Sequence, residues 1–206
     1  MSHPGPFHLG LSALLGRPPD LAVEGRRLRL RPFRASEAMA MARLLNDFEV
    51  VRYVGEIPHP YEPALAAEFI ALTHRHLERG TDRIFAVEGR AEGGLIGCIA
   101  LHLQAGRTLA RLGYWFGRAY WGRGYAAEAI SLALGYAFEL PRMTRVEADA
   151  HVDNIGSWRA MEKAGMSFER IIQLDFRARG FTAAARRYAI SRVEWQQRAT
   201  SGAPAA

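Results

Sequence analysis

Tyr114-Trp115-Phe116-Gly117-Arg118-Ala119-Tyr120-Trp121-Gly122-Arg123-Gly124-Tyr125-Ala126-Ala127 is the stretch whose reading decides the fold. A β-rich run ends at Gly117 and a polar, aromatic loop follows. From Gly124 the period becomes helical, with Ile130, Ala133, Leu134, Ala137 and Phe138 on one face until Pro141 closes it. A strand that turns through Gly-x-Gly into a helix aims several free backbone N–H groups at one point. Glycine lets an anion approach without a Cβ in the way, and the helix N-terminus adds about half a unit of positive charge. Arg118 and Arg123 add charge-assisted contacts. The glycine pair alone also suits an ordinary turn. Gly122 to Ala127 fits the loose dinucleotide pattern Gly-x-Gly-x-x-Ala as well, with Glu147 roughly where a ribose-binding acid would lie. That fingerprint, however, follows an apolar parallel strand early in a βαβ unit. The Walker pattern fails because no Gly-Lys-Ser/Thr follows.

Upstream, Leu28-Arg29-Leu30-Arg31-Pro32 alternates like a half-buried strand. Ser36 reads as the N-cap of a helix carrying Glu37 in its first turn and Ala38, Met41, Leu44 and Leu45 at helical spacing. Residues 50–60 read as irregular because of Gly55, Pro58 and Pro60, and 64–77 as a second helix. Three β-rich runs at 83–87, 94–103 and 108–117 form an antiparallel meander. Downstream come a strand at 145–151, a short helix at 156–164 closed by Gly165, and a hairpin of 167–174 with 185–193 around Arg179-Gly180.

With 206 residues, 49% hydrophobic and 23% charged, the chain has enough core for one domain, expected over 23–197 between a disordered leader at 1–22 and a disordered tail at 198–206. The single cysteine, Cys98, sits in an apolar run, which excludes a disulfide framework or a Cys-based zinc site; no metal is expected. No apolar run approaches bilayer length, so a cytoplasmic protein without membrane contact is expected. The net charge of +6 suits an anionic partner, but the arginines are spread along the chain with no dense basic run interleaved with aromatics, which argues against nucleic acid.

Tyr114-Trp115-Phe116-Gly117, Tyr-Trp-Gly-Arg-Gly-Tyr-Ala-Ala-Glu-Ala-Ile from Tyr120, Asp153-Asn154-x-x-Ser157 and Glu162-Lys163-x-Gly165-Met166 together resemble the GNAT superfamily of N-acetyltransferases. The nearest branch is the Rim-type ribosomal-protein N-terminal acetyltransferases, and the likeness runs from about Leu28 to Trp195. It implies an α+β fold: a mixed, mostly antiparallel sheet splayed at its centre, with helices on both faces and acetyl-CoA in the wedge. It also implies that main-chain groups of Trp115, Phe116 and Gly117 hold the thioester carbonyl and pantetheine amides, and that the amides of Gly122, Arg123, Gly124, Tyr125 and Ala126 hold the pyrophosphate. Asn154 reaches the pantetheine arm, caps its own helix, or does both; Lys163 lies towards the adenosine phosphates. Ser157 matches a serine proposed to protonate the departing thiolate.

The chain departs from the pattern at Ala119, where a Gln or Arg is usual, and at Met161, where a general-acid tyrosine is usual and which has no proton to give. The acceptor is a primary amine, of a polypeptide N-terminus or a small molecule, and a protonated amine needs a base before it attacks. Glu56 is the preferred base over Asp149, His151 and His102. The acceptor side is expected from residues 56–61 and the loop 176–182 with Arg177 and Arg179. Direct transfer in a ternary complex is the expected chemistry and a homodimer is left open. The alternative is a catalytically silent acetyl-CoA-binding or sensor module.

Overall fold

Leu28 and Leu30 alternate with arginines in strand β2 (Leu28–Arg31), and both leucines are completely buried. Arg31 is buried too, so its charge needs partners: Glu37 accepts from Nη1 and Nη2 at 3.0 and 2.6 Å, and Glu88 accepts from Nε. Burial alone would lower the Arg31 pKa, but the hydrogen bonds and charges of Glu37 and Glu88 raise it. Glu37 also accepts the Arg34 N–H at 2.7 Å, so this buried carboxylate, and not Ser36, organises the entry to helix α1 (Ala38–Leu45).

The computed structural model describes residues 21–200. Its remaining elements are β1 (Val23–Glu24), α2 (Phe48–Val51), α3 (Pro63–Arg79), β3 (Asp82–Gly89), β4 (Gly94–Leu103), β5 (Leu109–Phe116), α4 (Tyr125–Glu139), β6 (Arg145–His151), α5 (Ile155–Lys163), β7 (Ser167–Phe176), β8 (Phe181–Ser191) and α6 (Arg192–Thr200). They form one eight-stranded sheet in the order β1-β2-β3-β4-β5-β6-β8-β7. Every neighbouring pair is antiparallel except β5 with β6. The meander is therefore present, and the strand after α4 returns parallel to β5 as a crossover connection requires.

The parallel pair holds only from Leu109 and Arg145 to Leu112 and Ala148, after which β5 and β6 part. That is the central splay. Helices α4 and α5 cover one face over a core containing Ile99, Leu112, Ile130, Leu134, Val146 and Tyr188. On the other face α1 and α3 enclose Phe33, Met41, Leu45, Ile70, Cys98 and Trp115. Burial pushes the Cys98 thiol well above its ordinary range, so it is a packing residue.

Three elements depart from the expectations. Leu21 is buried and Val23 is paired with Leu30, so ordered chain starts inside the span assigned to the leader; the rest of that span, 1–20, lies outside the described residues. Residues 48–51 are helical, so the irregular stretch expected over 50–60 loses its first two residues; Asp47 caps this helix by accepting the Glu49 N–H at 3.1 Å. Strand β8 stops at Ser191, where Ser191 and Glu194 form a reciprocal cap: Glu194 Oε2 accepts the Ser191 N–H at 2.7 Å and Ser191 Oγ accepts the Glu194 N–H at 3.2 Å. Helix α6 follows and reaches Thr200, into the expected tail, whose end at 201–206 lies outside the described residues. Among the described residues no helix is long and apolar enough to cross a membrane, and no three His, Cys, Asp or Glu side chains are grouped to hold a metal.

Candidate active site

Hydrogen-bond parity along β5 determines what faces the splay. The Gln104 N–H donates to Leu109 O at 2.9 Å and the Gly117 N–H to Ile96 O at 3.0 Å, so the odd-numbered residues of β5 bond to β4. The even-numbered ones turn towards β6. Ala110 and Leu112 find β6 there; Tyr114 and Phe116 lie beyond its divergence. Phe116 O accepts from Trp121 Nε1 at 2.8 Å. What remains open to the cleft is the Tyr114 N–H and C=O and the Phe116 N–H. Of the expected main-chain groups of residues 115–117, the Trp115 backbone and the Gly117 N–H are committed to β4, and Gly117 O accepts the Tyr120 N–H at 2.9 Å. A Cβ on Gly117 would lie 2.6 Å from Leu44 Cδ2, so a larger residue there needs that side chain to shift.

The cleft opens into a cavity of about 550 Å³. It is lined by Gly122, Gly124, Tyr125 and Ala126 at the start of α4, by Asn154, Ser157 and Lys163 at α5, by Glu49 of α2 with Arg52 and Tyr53 just after it, and by Trp115 and Phe116. Gly122 and Gly124 have φ of +72° and +77°, a region other residues enter at a cost. None of the amides of residues 122–127 has a protein hydrogen-bond partner among the described residues, and a Cβ on Gly122 would meet nothing within 4 Å. A row of unpaired amides at a helix start, facing open space, fits a pyrophosphate.

Two contacts from distant turns hold the loop in that shape. Glu128 is buried and accepts both the Arg27 N–H at 2.8 Å and Arg27 Nε at 2.7 Å, while Arg27 Nη1 donates to Arg123 O at 2.8 Å. Tyr125 OH donates to Glu92 Oε1 at 2.8 Å, and the Arg27 guanidinium lies 4.9 Å from the Tyr125 ring centre. The Arg123 side chain lies 3.8 Å from Glu92, and Arg123 is outside the cavity lining.

On α5, Asn154 Oδ1 accepts the Ser157 N–H at 3.3 Å, so Asn154 caps the helix while lining the cavity. Ser157 Oγ lies 2.8 Å from Tyr114 OH, which also donates to Ser157 O at 3.0 Å. Burial drives the Tyr114 phenol far above its ordinary pKa, only partly offset by the Ser157 hydrogen bond, so it carries its proton throughout the physiological range. Met161 is buried in the core and lies outside the cavity lining.

The base candidates are mostly engaged elsewhere. Glu56 is exposed and does not line the cavity; its neighbour Gly55 accepts the Ala178 N–H at 2.7 Å from the β7–β8 turn. Asp149 receives both Arg187 Nε and Nη2 at 2.8 Å. His151 Nδ1 accepts the Asp153 N–H at 3.1 Å, which leaves the neutral ring protonated on Nε2, and the ring stacks on Tyr53 at 4.8 Å. His102 pairs with Asp82 at 3.1 Å, five residues along β4 from the position opposite Phe116. Of the two loop arginines, Arg177 is exposed and Arg179 turns inward, donating to Val51 O at 2.8 Å. Among the described residues the carboxylates on the cavity wall are Glu49 and Asp153, and sequence reasoning missed both. Asp47-x-Glu49 as a capped helix start was the available signal for the first.

The family model described as acetyltransferase (GNAT) domain matches residues 27–167. The uncharacterized N-acetyltransferase YoaA of Bacillus subtilis is 31% identical over 155 residues, covering 73% of this chain and 85% of that protein. Among solved structures, the GNAT-family acetyltransferase of Bacillus anthracis superposes with a TM-score of 0.72 at 25% identity, over 84% of this chain and 99% of that one. Mycobacterium smegmatis RimJ, solved in complex with a CoA disulfide, gives 0.72 at 18% identity, over 85% and 89%. The match over most of the chain leads to one conclusion: the chain belongs to the GNAT family and is an N-acetyltransferase.

Proposed function

We propose that the protein transfers the acetyl group of acetyl-CoA to a primary amine by direct attack within a ternary complex. The observation that carries this reading is the unpaired amide row of residues 122–127 at a cavity whose lining includes Ser157, its hydroxyl bonded to Tyr114 OH. When bound, acetyl-CoA supplies the activated acetyl thioester. The amides of residues 122–127 and the α4 N-terminus hold its pyrophosphate, with Lys163 near the adenosine phosphates and Asn154 beside the pantetheine arm. The Phe116 N–H, directed into the cleft and free of β6, donates to the thioester oxygen. Ser157 Oγ gives its proton to the leaving sulfur and takes up the one that the attacking nitrogen sheds, while Tyr114, which keeps its own proton, holds the Ser157 hydroxyl in position.

Glu56 stands outside the cavity and Glu49 is paired with Arg52, so the acceptor enters in its neutral form instead of being deprotonated by a dedicated carboxylate. Thiol release from acetyl-CoA across a panel of amines tests the function. Turnover with kcat/KM rising with pH up to the acceptor's own pKa supports it. Tight acetyl-CoA binding without turnover of any amine would instead make the protein a silent acetyl-CoA-binding module. Acid-stable label on Ser157 or Cys98 after incubation with labelled acetyl-CoA alone would refute direct attack.

A further inference from the structure

The cavity lining contains an arrangement that the acetyl-CoA contacts proposed above do not use. Arg52 Nη1 lies 3.0 Å from Glu49 Oε2, and the guanidinium carbon sits 4.7 Å from the centre of the Tyr53 ring. The Asp153 carboxylate lines the same cavity. All four residues line the cavity. Tyr53 is held in place by stacking on His151, whose ring in turn meets Phe176 edge-on at 5.5 Å. Two carboxylates and the face of a braced aromatic ring are what a cation seeks.

Arg52 is itself weakly held. Its side chain is 43% exposed and its partner Glu49 is 40% exposed, and ion pairs of that kind add little to stability. The Tyr53 ring, by contrast, is fixed from behind. The fixed part of the arrangement is thus the Tyr53 ring, and Arg52 is the part that can leave it.

We propose that Arg52 is a stand-in: in the free protein it occupies a seat, formed by Glu49, Asp153 and Tyr53, that receives a cationic group of the acceptor. This rests on the N-acetyltransferase reading of the same cavity and adds a substrate class to it. Neighbouring carboxylates favour the charged form of whatever amine they hold, and a charged amine is no nucleophile. The group in the seat is therefore not the one that reacts. The acceptor carries two cationic centres, one displacing Arg52 and staying protonated, the other entering the splay as the neutral nucleophile.

The test compares a linear diamine with the monoamine of equal length, measuring kcat/KM for each alongside acetyl-CoA affinity by calorimetry. The wild-type protein should prefer the diamine. Glu49→Gln with Asp153→Asn should bring the diamine-to-monoamine ratio of kcat/KM down about tenfold, a loss of the order expected for charge-assisted contacts. Arg52→Ala, which vacates the seat, should lower the diamine KM roughly two- to fivefold, the scale of an exposed ion pair. A ratio near one in the wild type, or unchanged in the double variant, would overturn the proposal while leaving acetyl transfer intact. So would an Arg52→Ala protein that loses acetyl-CoA affinity and gains nothing for the diamine, because the guanidinium would then belong to the cofactor side. Absence of acetyl-CoA binding in the wild type would be failure of the enzyme reading itself.

Discussion

Gly122→Ala and Gly106→Ala form a matched pair that separates backbone strain from ligand contact. Both glycines have left-handed backbones, φ +72° and +79°, and a Cβ at either would meet nothing within 4 Å. A non-glycine residue in that region costs about 1–2 kcal/mol, so both variants should fold with similar losses, lowering Tm by roughly 2–8 °C for a chain of this size. Gly106 lies in the β4–β5 turn, away from the cavity, whereas Gly122 lines it. The open space above Gly122 is where a pyrophosphate would approach, and a methyl group there displaces it from the amides. Losing one charge-assisted hydrogen bond, about 1.5–3 kcal/mol, weakens acetyl-CoA roughly tenfold to hundredfold. Calorimetric titration of both variants, with Tm recorded in parallel, is the assay. Equal acetyl-CoA affinity in the two, at equal Tm, would refute the assignment of this loop to the pyrophosphate.

Ser157→Ala and Tyr114→Phe should each lower kcat about tenfold to hundredfold, and the double variant should be no slower than the worse single, because the Tyr114 hydroxyl acts only by positioning Ser157; additive losses, or no loss in Tyr114→Phe, would sink that pairing. Stability should fall above about pH 8.5, where the unfolded Cys98 thiol ionises while burial keeps the folded one protonated, and fall further as unfolded Tyr114 and Tyr61 ionise near pH 10, Tyr61 being pushed up to about 12 in the fold by burial. The sign follows because the folded state binds more protons than the unfolded one across that window. Urea midpoints between pH 7 and 10 should therefore decline, and less steeply between about 8.5 and 10 in Cys98→Ala; identical slopes would show that the thiol is not the cause.

The half of the site built from contiguous sequence was legible, and the half built by tertiary contact was not. Gly122 to Ala127 announced a row of free helix-start amides because strand, turn and helix follow one another directly, and local geometry alone aims them. Which of residues 114–117 face the cleft depends on β4 and β6 together, a parity that no motif encodes. Tyr114 and Ser157 are 43 residues apart, and only the packing of α5 across the end of β5 unites them. Helix α2 was hidden by its shortness: four residues leave no period to read, and Gly55, Pro58 and Pro60 drew attention to the loop after it. That displaced the acidic candidate from Glu49, on the wall, to Glu56, outside it. Helix α6 is polar nearly throughout, so hydrophobic periodicity missed it, although Ser191-x-x-Glu194 was a legible capping box.

The central claim is that acetyl-CoA binds on the backbone of residues 122–127, and hydrogen exchange tests it residue by residue. These amides have no protein partner among the described residues, so in the free protein they should exchange quickly. With saturating acetyl-CoA they should slow together, while exchange in the β4–β5 turn at 105–107 stays as it was. Unchanged exchange across 122–127 at saturation would contradict the account.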